Sequence, residues 1–550
     1  IHYTFGQYTL IITSDNQSQR KLNFATREEQ QLQFSKLTQS MLNGNYRLLK
    51  VVNDTINSTQ STIEVGKNFL FETVISDSII HLVNLDKNEL KNASGSLQKG
   101  EAFKNKILRY YESHGRPFAM ITPYPSIVND STIRILLVVD QGPEIRYDSI
   151  NIKGNSKINN RFLMAYLGIK KGKLYNEKEI LSVEQKISKL SFLQSEKHPE
   201  AAFIDNKLRL LLYLTKKNSS QFDGIVGLLP QSGETKKTLI TGDVKLNLKN
   251  TFNYAEQIEI NWRRSDPLSQ DLLIGSMVPY MFGSNYGAQF NFKLIKKDTT
   301  TMTTTSKIGG IYYLSGLNNL SAYFENSSSK LLSVANITSS GALSQNIDYS
   351  INRYGLSSEI DLLNDLWIPT KGVKMGIDLN VGTRKVIINN KVPTEYYDDI
   401  KKNETQLKTT LNIESYYPIF RKIIFNASNK TCYISGNNRY ENELFRFGGL
   451  TTLRGFNEES LMASFVSIIN TEIRWLMDRK TFLFIFWNGA YYEKRTTTKF
   501  VHDTPYGTGV GLSFDTPTGI FNITYALGKE FNNPIQLKYG KIHFGIVARF

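Results

Sequence analysis

Three patterns in this 550-residue chain have residue types and spacings that could do chemistry. The first is Leu453-Arg454-Gly455-Phe456, closing a longer run that begins at Phe445 and includes Gly448-Gly449. A guanidinium is a rigid fork of donors matched to a carboxylate, so Arg454 could pin one segment against another. Taken alone, it reads equally as an exposed loop arginine beside a turn glycine. The second pattern is Gly507-Thr508-Gly509-Val510-Gly511. A phosphate-binding loop would need a following Lys-Ser/Thr and a helix. Neither follows, so these read as strand glycines that permit bending and close packing. The third, Asp140-Gln141-Gly142-Pro143, is turn chemistry. No Gly-x-Ser-x-Gly elbow occurs. The six histidines (His2, His81, His114, His198, His502, His543) show no ligand spacing. The chain therefore offers no acid–base or nucleophile set, and neither an enzyme, a metal site nor a cofactor is expected.

The elements that hold Arg454 have to be read from composition and periodicity. Hydrophobic residues make up 40% of the chain and mean hydropathy is −0.31. No stretch approaches the roughly 18 apolar residues of a membrane helix; the apolar tract at 482–487 is strand-sized. A membrane barrel alternates its faces and escapes such a test. The 29 Tyr and 31 Phe suit aromatic girdles. The net charge of +16 suits anionic lipid headgroups or lipopolysaccharide. Without zinc spacing, a stacked-aromatic RNA motif or a basic helix, no nucleic acid partner is expected. One cysteine, Cys432, excludes an internal disulfide. The chain opens on Ile1 with no initiator Met or signal peptide, so the numbering is expected to start on a processed or trimmed product.

Near residue 220 the chain changes character. Before it, three units share a plan of strand, helical segment and two strands, with expected boundaries 1–67, 68–143 and 144–217. Unit one has strands at 8–13, 46–52 and 61–66 around a polar helical run at 26–43. Unit two opens at 69–76. Its helix follows Lys99 with Phe103, Ile107, Tyr110 and Tyr111 on one face, and strands follow at 119–123 and 132–140. Unit three has a strand at 145–152, helices at 159–167 and 177–190, and strands at 201–204 and 207–214.

Residues 218–550 lose helical periodicity, and at roughly 20 residues per strand and connection they allow about 16 antiparallel strands. Side chains alternate faces along a strand. Ile469, Thr471, Ile473 and Trp475 oppose Asn470, Glu472 and Arg474. Ile258, Ile260 and Trp262 oppose Glu259, Asn261 and Arg263. Phe290, Phe292 and Leu294 oppose Gln289, Asn291 and Lys293. Phe521, Ile523, Tyr525 and Leu527 form another outward set. In the last strand, Ile542, Phe544, Ile546, Ala548 and Phe550 oppose Lys541, His543, Gly545, Val547 and Arg549. A soluble sandwich also alternates, but length, aromatic content and the near absence of helix favour a transmembrane barrel.

These features together resemble the superfamily of outer-membrane assembly factors that includes BamA, TamA and the two-partner secretion transporters. Leu453-Arg454-Gly455-Phe456 is similar to the signature of its long sixth extracellular loop, which folds back into the barrel. Thr471-Glu472-Ile473-Arg474-Trp475 resembles the strand that follows, and 507–519 the glycine-rich penultimate hairpin. The terminal Phe550 resembles the recognition signal of outer-membrane barrels, and the three N-terminal units resemble POTRA domains. The resemblance implies a fold of α+β POTRA repeats before a transmembrane antiparallel β-barrel. It places the barrel in a bacterial outer membrane and the POTRA units in the periplasm. It also implies that Arg454 is held inside the barrel by acidic residues, with lumen-facing Glu472 as its partner. Asn488 stands where relatives often carry Asp, so the pinning network is expected to be weaker or differently wired.

The implied function is assembly or translocation of client outer-membrane proteins, closest to TamA-like members because there are three POTRA-like units. A TamB-like periplasmic partner and outer-membrane lipids are implied with it. The mechanism implied is a lateral seam between first and last strands, involving Phe222, Gly224 and Gly227 on one side and Phe544, Gly545 and Phe550 on the other. Two glycines and Pro230 would weaken regular pairing in the first strand, although turn chemistry alone accounts for the proline equally well. The alternative is a two-partner secretion transporter exporting one polypeptide. A passive porin would leave the POTRA-like units superfluous.

Overall fold

Strand pairing accounts for most of the chain, and successive sheets follow the sequence in order. The computed structural model describes residues 8–548 except 15–18, 44–45, 54–59, 69, 83–90, 92, 130–131, 231–237, 265–268, 298–299, 335–345, 366–367, 399, 438, 479–480, 498, 517–518, 532–534 and 536. Two compact units emerge: one comprises 1–149, 171–181 and 202–209, the other 150–170, 182–201 and 210–550.

The first sheet contains β1 (Tyr8–Ser14), β2 (Gln19–Phe24), β3 (Tyr46–Asn53) and β4 (Gln60–Asn68), in the order β2-β1-β4-β3. Strand β2 is an addition to the expected plan: it pairs antiparallel with β1. Helix α1 (Arg27–Asn43) lends Phe34 and Leu37 to a small core with Leu10 and Ile63. The second sheet holds β5 (Leu70–Ile75), β6 (Met120–Asn129) and β7 (Thr132–Asp140), ordered β5-β7-β6. Strands β5 and β7 run parallel, which needs a crossover; α2 (Asp77–Leu82) and α3 (Leu97–Ser113) lie between them in the chain. Ser96 caps α3 by accepting from Lys99 N at 3.2 Å. Phe103, Ile107 and Tyr111 are buried against Ile75, Ile121, Ile135 and Leu137. Tyr110 is only half-buried and meets Tyr111 edge-on.

The third sheet contains β8 (Arg146–Lys153), β9 (Leu193–Ser195), β10 (Glu200–Ile204) and β11 (Lys207–Lys216). Its helices are α4 (Asn160–Leu167) and α5 (Glu177–Ser188). Asn159 caps α4 by accepting from the amides of Arg161 and Phe162.

A 17-stranded antiparallel sheet follows. It opens with β12 (Gln221–Pro230), β13 (Thr238–Lys249), β14 (Gln257–Arg264), β15 (Gln270–Val278), β16 (Tyr286–Lys297) and β17 (Thr301–Ser315). It continues with β18 (Asn318–Leu331), β19 (Tyr349–Asp361), β20 (Gly372–Val386), β21 (Asn403–Phe420) and β22 (Ile423–Ile434). A separate pair, β23 (Phe445–Phe447) and β24 (Leu461–Ala463), interrupts the order. The sheet ends with β25 (Phe465–Leu476), β26 (Phe482–Arg495), β27 (Phe500–Asp503), β28 (Tyr506–Thr516), β29 (Gly519–Lys529) and β30 (Lys541–Ala548). Four-residue β27 extends one end of β26, which also pairs directly with β28. Among the described residues after β12 the only helical segments are short 3-10 turns. The sheet curls until β12 and β30 come within 8 Å, Cα to Cα.

The faces separate by parity. Ile469, Ile473 and Trp475 are exposed on the outside, whereas Glu472 is buried inside. Along β26, Leu483, Ile485 and Trp487 point outward and Phe482, Phe484, Phe486 and Asn488 inward.

The 140–143 turn shows how tightly the first unit is built. Gly142 N donates to Asp140 Oδ1 at 3.0 Å, and Arg116 Nη1 donates to Gly142 O at 2.6 Å. Gly142 has φ 62°, and a Cβ there would sit 2.9 Å from Phe118 O. Gly142→Val should therefore destabilise the first unit by about 1–3 kcal/mol; urea unfolding of that part of the chain, followed by limited proteolysis, would check it.

Candidate functional site

The connection between β22 and β25 is the longest excursion in the second unit, and it returns into the sheet's interior. Its hairpin, β23 with β24, pairs Phe445 with Ala463 and Phe447 with Leu461. Leu453 and Phe456 are buried in one cluster with Phe447, Leu461, Val466, Ile468 and Tyr492. Between them Gly455 adopts φ 95°, a left-handed conformation that a side chain disfavours.

Arg454 is 7% exposed. Its Nη1 donates to Glu472 Oε1 at 2.7 Å, and its Nε donates to Asn488 Oδ1 at 3.3 Å. Asn488 Nδ2 donates back to Arg454 O at 3.3 Å. The guanidinium lies 3.8 Å over the Phe486 ring, close enough for a cation–π contact. On the other oxygen of Glu472, Arg474 donates through Nε at 2.7 Å and Nη2 at 2.6 Å. Arg474 is itself held between the rings of Tyr416 and Phe482, 4.9 Å from each. One carboxylate thus serves two guanidiniums. Asn488 grips both the side chain and the backbone of Arg454; a carboxylate could accept from the side chain but could not donate to the carbonyl. The wiring differs from two acids sharing one arginine.

Alternate glycines make room for this arrangement. On β28, Gly507, Gly509 and Gly511 stand opposite Asn488, Phe486 and Phe484 of β26. A Cβ on Gly509 or Gly511 would collide with the Phe486 or Phe484 ring, and one on Gly507 would collide with Arg454 O. On β29, a Cβ at Gly528 would come 2.7 Å from Gly455 O. The glycine run is therefore the floor on which the arginine's aromatic seat and the loop backbone rest.

The same loop reaches the last strand. Gly455 N donates to His543 Nε2 at 3.2 Å. Lys541 Nζ donates to Asn457 Oδ1, and Leu450 packs over Gly545. Lys541, His543 and Gly545 form the inward face of β30. Strand β30 pairs with β29 from Gly519↔Ala548 to Ala526↔Lys541. Among the described residues no ladder joins it to β12. On β12, Phe222 is exposed, and Gly224 and Gly227 stand opposite Val244 and Thr241 in an unbroken register with β13. The glycines and Pro230 lie within that ladder to β13; the seam expectation concerns the other edge of β12. The Phe544 side chain and Phe550 lie outside the described residues.

Three contributors to the site carry no clear signal in the sequence. Arg474 falls on the inward face there without a role, and His543 is one scattered histidine. The third is a second anchor of the same loop. Arg384 of β20 donates to Glu443 Oε2 at 3.0 Å and to Glu404 Oε2 at 2.9 Å. Gln406 Nε2 donates to Glu443 Oε1 at 3.1 Å, and Asn442 Nδ2 donates to Ser329 Oγ at 2.9 Å. Lys494 of β26 pairs with Glu441. The loop is held to strands on both flanks of the sheet.

Removing one partner of a buried ion network costs more when it strands a charge. Arg454→Ala leaves Glu472 still paired with Arg474, whereas Glu472→Gln strands two guanidiniums. Glu472→Gln should destabilise the folded sheet by about 3–5 kcal/mol and lower its heat-modifiability midpoint on gels further than Arg454→Ala. Equal or reversed midpoints would contradict the shared-carboxylate reading. Gly507→Ala should displace Arg454 and open the 435–464 connection to protease, while Gly376→Ala, which has space for a Cβ at β20, should not.

A family model for POTRA, described as a surface antigen variable number repeat, matches residues 145–195. CdiB from Acinetobacter baumannii is similar in structure over 95% of this chain and 98% of its own, with TM-score 0.52 and 14% identity. CdiB from Escherichia coli is similar over 95% and 98%, with TM-score 0.51 and 13% identity. At these identities the likeness speaks to fold alone. No curated protein matches the chain in sequence. The family model described as the Omp85 superfamily domain matches residues 250–550, more than half of the chain. With an α+β repeat region before a strand-built barrel, the chain belongs to the Omp85 superfamily: an outer-membrane β-barrel with periplasmic POTRA domains.

Proposed function

We propose that this protein assembles or translocates client outer-membrane proteins through a lateral seam between β12 and β30. The observation that carries the reading is the asymmetry of β30. It is hydrogen-bonded along one edge to β29 and backed on its inner face by the 450–457 segment of the loop, and among the described residues no ladder joins its other edge to β12. An unpaired edge accepts an incoming strand through main-chain hydrogen bonds, without sequence specificity. The Arg454–Glu472 anchor keeps that edge registered while it waits.

In this reading residues 1–67, 68–143 and 144–217 act as three POTRA units feeding a barrel at 218–550. The second sheet supports client contact through its face. Met120, Tyr124, Leu136 and Val138 are exposed apolar residues on β6 and β7. Pro123 and Pro125 remove two backbone donors from edge strand β6, which blunts strand addition there. Three POTRA units favour a TamA-like role with a TamB-like partner, and with outer-membrane lipid or lipopolysaccharide as additional cargo.

Export of one polypeptide through the lumen is the competing role. The 435–464 connection sits across that path, tied to β20 and β21 through Glu443 and to β25, β26 and β30 through Arg454 and its neighbours. Secretion would require breaking both anchors, and a seam mechanism requires neither. A disulfide between cysteines scanned along 222–227 of β12 and 541–547 of β30 should abolish client assembly when oxidised and restore it on reduction. Full assembly by the oxidised protein would rule out the seam.

A further inference from the structure

Backbone strain in the second unit is concentrated at one end of β13–β16, in two turns that the Arg454 network does not touch. Among the described residues, five of the nine non-glycine residues with positive φ lie there: Asn250, Asn253, Ala255, Tyr280 and Phe282. A bulky residue such as Phe282 at φ 57° is costly and persists only where surrounding contacts enforce it. Tyr280 does the enforcing. It is buried, stacked on Tyr313 at 4.5 Å, and set edge-on to Phe162 and Tyr166 of α4.

The 250–256 turn is built with equal care. Buried Glu256 accepts from Phe252 N at 2.6 Å and from Tyr254 N at 3.1 Å, while Asn250 Oδ1 accepts from Ala255 N at 2.9 Å. Asn159 N donates to Asn253 O at 2.9 Å, fixing the turn to the start of α4.

The result of this construction is the display of three aromatic side chains. Phe252 is 63% exposed, Tyr254 55% and Phe282 90%. They continue the exposed pair Tyr286 and Tyr312, ring centroids 5.3 Å apart, at the same end of the strands. Aromatic residues in this position mark the membrane–water interface. A cavity of about 280 Å³ opens between α4 and the second turn, bordered by Arg161, Tyr254 and Phe282. Exposed Arg161 borders this cavity, and exposed Lys157 stands at the first turn, where its carbonyl accepts from Asn250 Nδ2 at 3.3 Å; neither side chain is paired with a carboxylate among the described residues.

We propose that the 250–256 and 279–285 turns, with the start of α4, form a docking site for a phospholipid of the periplasmic leaflet. Lys157 and Arg161 take the anionic headgroup, and Phe252, Tyr254 and Phe282 enter the glycerol and upper acyl region. The strained turns serve to hold the aromatic side chains out where no protein covers them. This site goes beyond the seam reading and does not depend on it; it rests only on the barrel being membrane-embedded.

The test uses the full-length protein in liposomes of phosphatidylethanolamine and phosphatidylglycerol. Phe252→Trp, Tyr254→Trp and Phe282→Trp should each add emission that brominated phospholipid quenches at least several-fold better than aqueous iodide does. Tyr254 and Phe252 lie outside the positive-φ set, so their variants keep the test open if Phe282→Trp fails to fold. Quenching by brominated phosphatidylglycerol should exceed that by brominated phosphatidylcholine, and Lys157→Glu with Arg161→Glu should erase the difference. Added emission quenched chiefly by iodide would overturn the docking site. Equal quenching by the two brominated lipids in the otherwise unaltered protein would overturn the headgroup assignment.

Discussion

One carboxylate between two guanidiniums is the constraint on which the interior of this barrel depends. Glu472 accepts Arg454 on one oxygen and Arg474 on the other. Bringing three charges out of water is unfavourable unless each finds partners with good geometry. Here the surplus positive charge is spread over aromatic faces: Phe486 beneath Arg454, Tyr416 and Phe482 around Arg474. The inward phenylalanines of β26 belong to this electrostatic arrangement as much as to packing. The rings of Phe484 and Phe486 lie where β28 carries glycine. Charge, ring and missing side chain therefore form one unit across three strands.

That unit fixes the 450–457 segment of a loop, and the same segment also touches β29 and β30. Gly528 admits the loop backbone, and His543 accepts the Gly455 amide. A closed barrel has no edges; here the last strand is hydrogen-bonded to β29 and braced from within. The brace explains how β30 can keep its place with β12 near it and, among the described residues, no ladder between the two. The second anchor, Arg384 with Glu404 and Glu443, holds the far part of the loop, so that Arg454 is presented from a fixed base and not from a free tether.

Much of the barrel is legible in the sequence because a period of two exposes one face to lipid. The parity of Ile469, Ile473 and Trp475 against Glu472 is enough by itself to assign the carboxylate to the inward face. The 482–487 tract is less legible: both faces are apolar there, since the inward phenylalanines seat an arginine. The partnership of Arg384 with Glu443 spans 59 residues and depends on a loop conformation that no local pattern encodes. Alternation also puts Arg474 and His543 on the correct faces, but their roles require the register of β25 against β22 and the path of the loop over β30. Strand β2, with the sequence Gln-Arg-Lys-Leu-Asn-Phe, carries too little alternation to stand out from a polar connection.

Arg454 supports β30 through the loop it anchors. Hydrogen exchange of the full-length protein in lipid nanodiscs, comparing unaltered protein with Arg454→Ala, addresses it most directly. Amides of 541–548 should exchange faster in the variant, with those of β16–β19 unchanged. Identical protection of 541–548 in the two proteins would show that β30 does not depend on the loop arginine, and the account would fall.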